Sequence, residues 1–135
     1  MGSLSWNESY SVNIKEIDEQ HKRLLALVGN LHAAMLEGQG KQALGQVLDG
    51  VVGYAASHFA SEERLMRTHG YPDYEEHRQI HERMTQKVLD IQKQYHSGKV
   101  NITLETMKFL EDWVSKHILG TDKKYSPFLN GKGVV

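Results

Sequence analysis

His58 and Glu62 stand four residues apart, and so do His77 and His81. On a helix that spacing sets two side chains one turn apart on the same face, where both can point at one object. Imidazole nitrogen and carboxylate oxygen are donors to transition-metal ions. Between the two pairs lies Gly70-Tyr71-Pro72, a helix stop followed by a turn. Folding at that turn carries the second pair back against the first. The chemistry these residues suggest is metal ligation.

Composition narrows the choice. There is no cysteine among the 135 residues, which excludes disulfides, thiolate zinc sites, thiolate-held iron–sulfur clusters and cysteine nucleophiles. A metal here is held by nitrogen and oxygen. A formal net charge of -1 gives no electrostatic basis for nucleic acid or anionic lipid as a partner. No stretch approaches the roughly 20 apolar residues of a membrane span, and no basic-then-apolar leader opens the chain. A protein without a membrane segment, cytoplasmic in location, is expected. Met1-Gly2-Ser3 resembles a cloning scar, so the chain could equally be a domain cut from something longer.

The elements that must position the donors follow from hydrophobic spacing. At 39% hydrophobic content, residues 1–135 are expected to form one domain with a real core. Residues 1–17 show no helical period and read as an extended arm anchored by Trp6 and Tyr10. Asp18 is the expected N-cap of a first helix over about 18–37, with Leu24, Leu25, Val28, Leu31 and Met35 on its apolar face. A second helix over about 41–69 contains Gly50 and Gly53, read as points of close packing. Asp73 and Glu76 suggest a capping box opening a third helix, about 73–96. A fourth runs over about 103–119 and ends at Gly120, and 121–135 reads as an irregular tail. Four amphipathic helices with short connections predict an all-α, antiparallel up-down-up-down bundle over 18–120.

That topology tests the metal idea independently. His21 opens the first helix, His58 and Glu62 lie late in the second, His77 and His81 open the third, and His117 closes the fourth. In an antiparallel bundle all six fall at one end, with Asp122 just beyond. A single histidine on an apolar stripe is more often a hydrogen-bonded core residue than a ligand. Five imidazoles and two carboxylates at one level are another matter, because burying them without a cation is very costly. His32, His69 and His96 fall away from this level and are read as non-ligands. Seven donors exceed the four of a zinc site, so two ions are implied. Nitrogen-rich ligation with shared carboxylates suits iron better than manganese.

These residues resemble a known family. His21, the run His58-Phe59-x-x-Glu62-Glu63, Gly70-Tyr71-Pro72, His77-x-x-x-His81 and His117-x-x-x-x-Asp122-Lys123-Lys124-Tyr125 are similar to the hemerythrin family, and within it to the bacteriohemerythrins. The resemblance spans Trp6 to Tyr125. It implies two iron ions (Fe2+/Fe3+) with a bridging oxo or hydroxo group. His77, His81 and His117 would hold one ion and His21 and His58 the other, with Glu62 and Asp122 shared. It further implies reversible binding of dioxygen at the ion with two histidines, for storage, delivery or scavenging rather than catalysis. The alternative role is an oxygen- or redox-sensing domain of a chemotaxis or other signalling protein, with a signalling partner or parent receptor. Leu24, Phe59, Trp113, Val114 and Ile118, by their place beside the ligands, are the expected walls of a dry dioxygen pocket. Two positions depart from the family's usual residues: Met84 where a bulky aromatic is frequent, and Val114 where Leu is common.

Overall fold

The computed structural model describes residues 6–99 and 101–135; Met1-Gly2-Ser3 lie outside them. Five α-helices are present: α1 (Lys15–Leu36), α2 (Lys41–Thr68), α3 (Tyr74–His96), α4 (Leu104–Lys116) and a short α5 (Ser126–Gly131). A 3-10 turn, Glu8–Tyr10, precedes α1. A π-helical turn, His117–Thr121, and a 3-10 turn, Asp122–Tyr125, join α4 to α5. No strand occurs among the described residues. Helices α1 to α4 form the expected up-down-up-down bundle, α1 packing on α2 and α4, and α2 on α3.

The helix ends differ from expectation in physically simple ways. Helix α1 starts three residues early, with Ile14 at the N-cap and no side chain capping it. Asp18 lies inside the first turn, where a carboxylate suits the positive end of the helix dipole. Its oxygens face the arm instead, accepting from the Val12 N–H at 2.8 Å and the Ser11 hydroxyl at 2.6 Å. Asp73 occupies the N-cap of α3, but its side chain makes no capping bond. The stop after α2 is as expected. Gly70 takes φ +72°, and the Tyr71 N–H reaches back to the Met66 carbonyl at 2.9 Å, the wrap that a left-handed residue permits. Gly50 and Gly53 face open space rather than a neighbour. The close approach is at Gly45, where a β-carbon would lie 3.1 Å from His96 and 3.2 Å from Tyr95.

The C-terminal segment is helical, not irregular. Gly120 is not a stop: α4 gives way after Lys116 to the π turn His117–Thr121, and Gly120 lies inside that turn. Leu129 and Tyr125 are buried there with Val12, Ile14, Ile17, Met66 and Tyr71 in a small apolar cluster. The Ser126 hydroxyl donates to the Val12 carbonyl at 2.6 Å, and the Asn130 amide to the Asn13 carbonyl at 3.0 Å. Both ends of the chain are thereby tied into one cap. The larger core lies further along the bundle and includes Leu24, Leu25, Phe59, Val88, Leu110, Val114 and Ile118. His21 falls between Ile17 of the cap and Leu24 of the core, Glu62 between Met66 and Phe59, and Asp122 between Tyr125 and Ile118. The polar residues thus form a layer between two apolar ones.

Asp18 links arm to helix by two charge-assisted hydrogen bonds, so Asp18→Ala is expected to destabilise the fold by about 2 kcal/mol. A urea titration would register this as a lower midpoint at unchanged slope.

Candidate metal centre

Each donor reaches the layer for a local reason. His58 and Glu62 lie one turn apart on α2, as do His77 and His81 on α3. His117 and Asp122 are five residues apart, which on an α-helix would set them about 140° apart around the axis. The π turn removes the discrepancy. The Asp122 N–H bonds to the His117 carbonyl, an i→i+5 link that brings the second side chain back above the first.

All seven side chains are at least nine-tenths buried, and His21 and Asp122 are wholly so. They sort into two overlapping groups. Donor atoms of His77, His81, His117, Glu62 and Asp122 lie within 4.8 Å of one another, and so do those of His21, His58, Glu62 and Asp122. Metal–donor bonds of about 2.0–2.3 Å on opposite sides of one ion allow such a span. Glu62 and Asp122 belong to both groups.

His77 Nε2 bonds to Asp122 Oδ1 at 3.0 Å, but several other contacts inside the groups are short without being hydrogen bonds. His21 Nε2 is 3.0 Å from Asp122 Oδ2 and 3.4 Å from Glu62 Oε2. His58 Nε2 is 3.4 Å from Glu62 Oε1. Yet His21 Nε2, His58 Nε2, Glu62 Oε1 and Asp122 Oδ2 are all buried with no hydrogen-bond partner. His81 Nε2 lies 3.1 Å from His117 Nε2, a contact that holds without a cation only if one of the two nitrogens carries a proton. Buried polar atoms normally find partners. Here they converge on common points instead, as donors to a cation do. Nitrogen and oxygen donors alone, with two carboxylates placed to be shared, fit a pair of iron ions.

Without a metal, protons take up the charge balance. Burial alone would push His21 down, but Asp122 and Glu62 outweigh it and raise His21 from 6.5 to about 10. Burial likewise opposes His81, which Glu62 and Glu63 nevertheless raise. Burial would lift Glu62, yet the imidazoles of His58, His21 and His81 hold it well below the usual carboxylate range. Asp122 is also held low, His117 and His21 outweighing burial and the nearby Glu62.

Outside the donors, three side chains fix their orientation. His58 Nδ1 bonds to Gln20 Oε1 at 2.7 Å, and His81 Nδ1 to Glu63 Oε2 at 2.8 Å. Such outer partners set the tautomer and aim of a ligating ring. The Tyr125 hydroxyl donates to Glu62 Oε2, and burial together with the two carboxylates pushes its phenol well above 10, so it stays a donor. Helical spacing does not point to these three, because each bonds across to another element. His32 pairs with Glu111 at 2.8 Å, His96 with Asp49 at 2.7 Å, and His69 caps α2; all three lie outside the cluster.

The five expected pocket residues are buried in the larger core. Phe59 stacks flat on His81, with ring centroids 4.0 Å apart, and meets His117 edge-on at 5.7 Å. Trp113 lies 6.1 Å from Phe59. These two aromatics therefore back the three-histidine group. Leu24 follows His21 by one turn of α1, and Val114 and Ile118 flank His117.

A family model described as "Hemerythrin HHE cation binding domain" matches residues 12–129. The chain belongs to the hemerythrin family. Bacteriohemerythrin of Methylococcus capsulatus is 32% identical over 131 residues, covering 96% of this chain and 99% of that protein. Bacteriohemerythrin of Stenotrophomonas maltophilia is 36% identical over 126 residues, covering 93% and 81%. The crystal structure of a wild-type hemerythrin superposes with a TM-score of 0.88 at 32% identity, covering 93% of this chain and 97% of the other. The likeness thus extends over the whole bundle, cap and polar layer included.

Proton and metal compete for this layer, which gives the metal-free protein a distinctive pH response. A proton held on His21 to about pH 10 stabilises the fold fully below about pH 6.5, and that contribution is lost as pH rises through 10. The lowered carboxylates contribute above their ordinary values and lose their contribution as pH falls below about 4. Metal binding needs deprotonated ligands and strengthens with pH. The gap in melting temperature between metal-loaded and metal-free protein is therefore expected to widen from pH 6 to pH 9, as scanning calorimetry of both forms would record. A constant gap would contradict this reading.

Proposed function

We propose that this hemerythrin binds dioxygen reversibly at a non-haem di-iron centre. In this reading His77, His81 and His117 hold one iron, His21 and His58 the other, and Glu62 and Asp122 are shared, with an oxo or hydroxo bridge completing the pair. The observation that carries the proposal is the division of seven buried donors into two groups with two carboxylates in common. Two ferrous ions supply one electron each, so that dioxygen can be taken up as a two-electron acceptor and given back.

The rest of the work falls to the chain. Unequal histidine numbers make one group of donors smaller than the other, and dioxygen would be accepted on that side. Five imidazoles against two carboxylates bring little negative charge, which favours the reduced state. Leu24, one turn after His21, offers no polar atom and helps to exclude water on the two-histidine side, while Val114 and Ile118 flank His117 and Phe59 and Trp113 back the three-histidine group. Gln20 and Glu63 keep two rings aimed inward. Tyr125, holding its proton on the oxygen that faces Glu62, fixes that carboxylate in place. Carriage of dioxygen is the function this arrangement supports.

The decisive experiment is an optical spectrum of the reduced protein before and after air, with iron analysis on the same sample. About two irons per chain and an absorption band that appears with oxygen and vanishes under argon are expected. Colourless protein, or about one ion or fewer, would overturn the proposal.

Val114 is buried beside His117, and a larger side chain there would narrow the space open to water. Val114→Leu is therefore expected to slow autoxidation of the oxygenated form, followed as decay of that band at fixed pH. An unchanged decay rate would sink the idea.

A further inference from the structure

We propose that the cleft between α3 and α4, outside His117, binds a planar anionic aromatic electron carrier of the flavin-phosphate class, and that electrons enter the metal centre there. The proposal rests on the reading of that centre as a redox-active iron pair.

The cleft has a volume of about 410 Å³, within the roughly 300–1,000 Å³ of small-molecule sites. Its floor is aromatic and apolar: Trp113, Met84 and Phe109, with His117 at its inner edge. The Trp113 indole N–H donates to the Met84 carbonyl at 3.1 Å, which holds the ring across the floor. Phe109 is more than one-third exposed, unusual for a phenylalanine with no visible partner. Arg83, Lys87 and Lys116 stand at the rim against a single acid, Asp112. Asp112 is already shared between Lys108 at 3.6 Å and Lys116 at 3.8 Å. Among the described residues Arg83 and Lys87 form no ion pair. On a chain of net charge -1, this rim is a local excess of positive charge.

His117 joins the cleft to the donor cluster. It is 7% exposed, and its Nε2 faces inward, 2.8 Å from Asp122 Oδ1. A ligating histidine normally gives its other ring nitrogen to a protein acceptor, as His58 and His81 do. Nδ1 of His117 has no such partner among the described residues, and neither does that of His21. An aromatic floor with a cationic rim suits a flat heterocycle bearing a phosphate. From the floor the route inward is short. His117 is itself one of the donors, and Trp113 leads through Phe59 at 6.1 Å to His81 at 4.0 Å.

The reduction balances simply. A reduced flavin hydroquinone gives up two electrons and two protons to become oxidised flavin. Each of two ferric ions takes one electron and becomes ferrous, and the two protons leave to solvent.

The test uses the iron-loaded protein and oxidised flavin mononucleotide, titrated at low ionic strength by flavin fluorescence and calorimetry. One flavin per chain is expected, with weaker binding of riboflavin, which lacks the phosphate. The double variant R83E/K87E, altered only at exposed positions, is expected to weaken binding by about tenfold, and Phe109→Ser to weaken it as well. Reduction of the oxidised protein by reduced flavin mononucleotide should saturate with flavin in the wild type and lose saturation in R83E/K87E, with iron content unchanged. No binding, or equal affinity in R83E/K87E, overturns the proposal. So does reduction by an acidic redox protein without flavin binding, which would assign the cleft to a protein partner. A chain that binds flavin as expected but holds no iron refutes electron entry through failure of the metal reading, and the iron assay alone reveals that case.

Discussion

Two carboxylates buried among five imidazoles are the constraint on which the structure depends. Glu62 and Asp122 have no exposed surface to speak of, and a carboxylate removed from water needs a positive partner. Metal-free, that partner is a protonated imidazole, the carboxylates raising both His21 and His81; a bound cation would take the same part. The four-helix frame meets this need by bringing one donor from α1, two each from α2 and α3, and two from the turns that follow α4 to a common depth. Hydrophobic burial can drive the bundle together, but it cannot by itself say where along the bundle the polar layer should lie. The donors do, because misplacing any one of them leaves a charge uncompensated inside.

The same constraint explains the irregular part of the chain. A regular continuation of α4 would carry Asp122 to the wrong side, and the widened turn at His117–Thr121 corrects it. Such a turn forgoes ideal packing of the backbone ladder. It persists here where the return is a second shared carboxylate. The cap formed by arm, Gly70 turn and α5 then closes the layer from outside with a second apolar cluster.

Much of this was legible beforehand, and the reason is periodicity. Pairs such as His58/Glu62 and His77/His81 declare their common face through a spacing of four, and antiparallel topology brings the pairs to one end. What escaped was what periodicity does not encode. Asp18 looks like a cap by type, yet the chain starts its helix three residues earlier and uses the carboxylate to hold the arm. Gly120 looks like a stop, yet without a positive φ it passes smoothly through a π turn. The tail beyond Asp122 has too few apolar residues to show a helical pattern, and only its contacts with Val12 and Ile14 make it order as α5. Gln20 was equally silent, and Glu63 and Tyr125, although they belong to the family-like runs, gave no sign of their roles, since each finds its partner on a different element. Phe59 was placed beside the ligands by its position, but its flat stacking on His81 depends on how α2 meets α3.

The separation of the two apolar clusters has a consequence for exchange with the surroundings. The cap has its own ties, Ser126 to Val12 and Asn130 to Asn13, yet it also holds Ile17 of α1 and Met66 of α2 and grips Glu62 through the Tyr125 hydroxyl. Any solute that reaches the polar layer from this end must therefore disturb a carboxylate of the layer and both ends of the packed chain together.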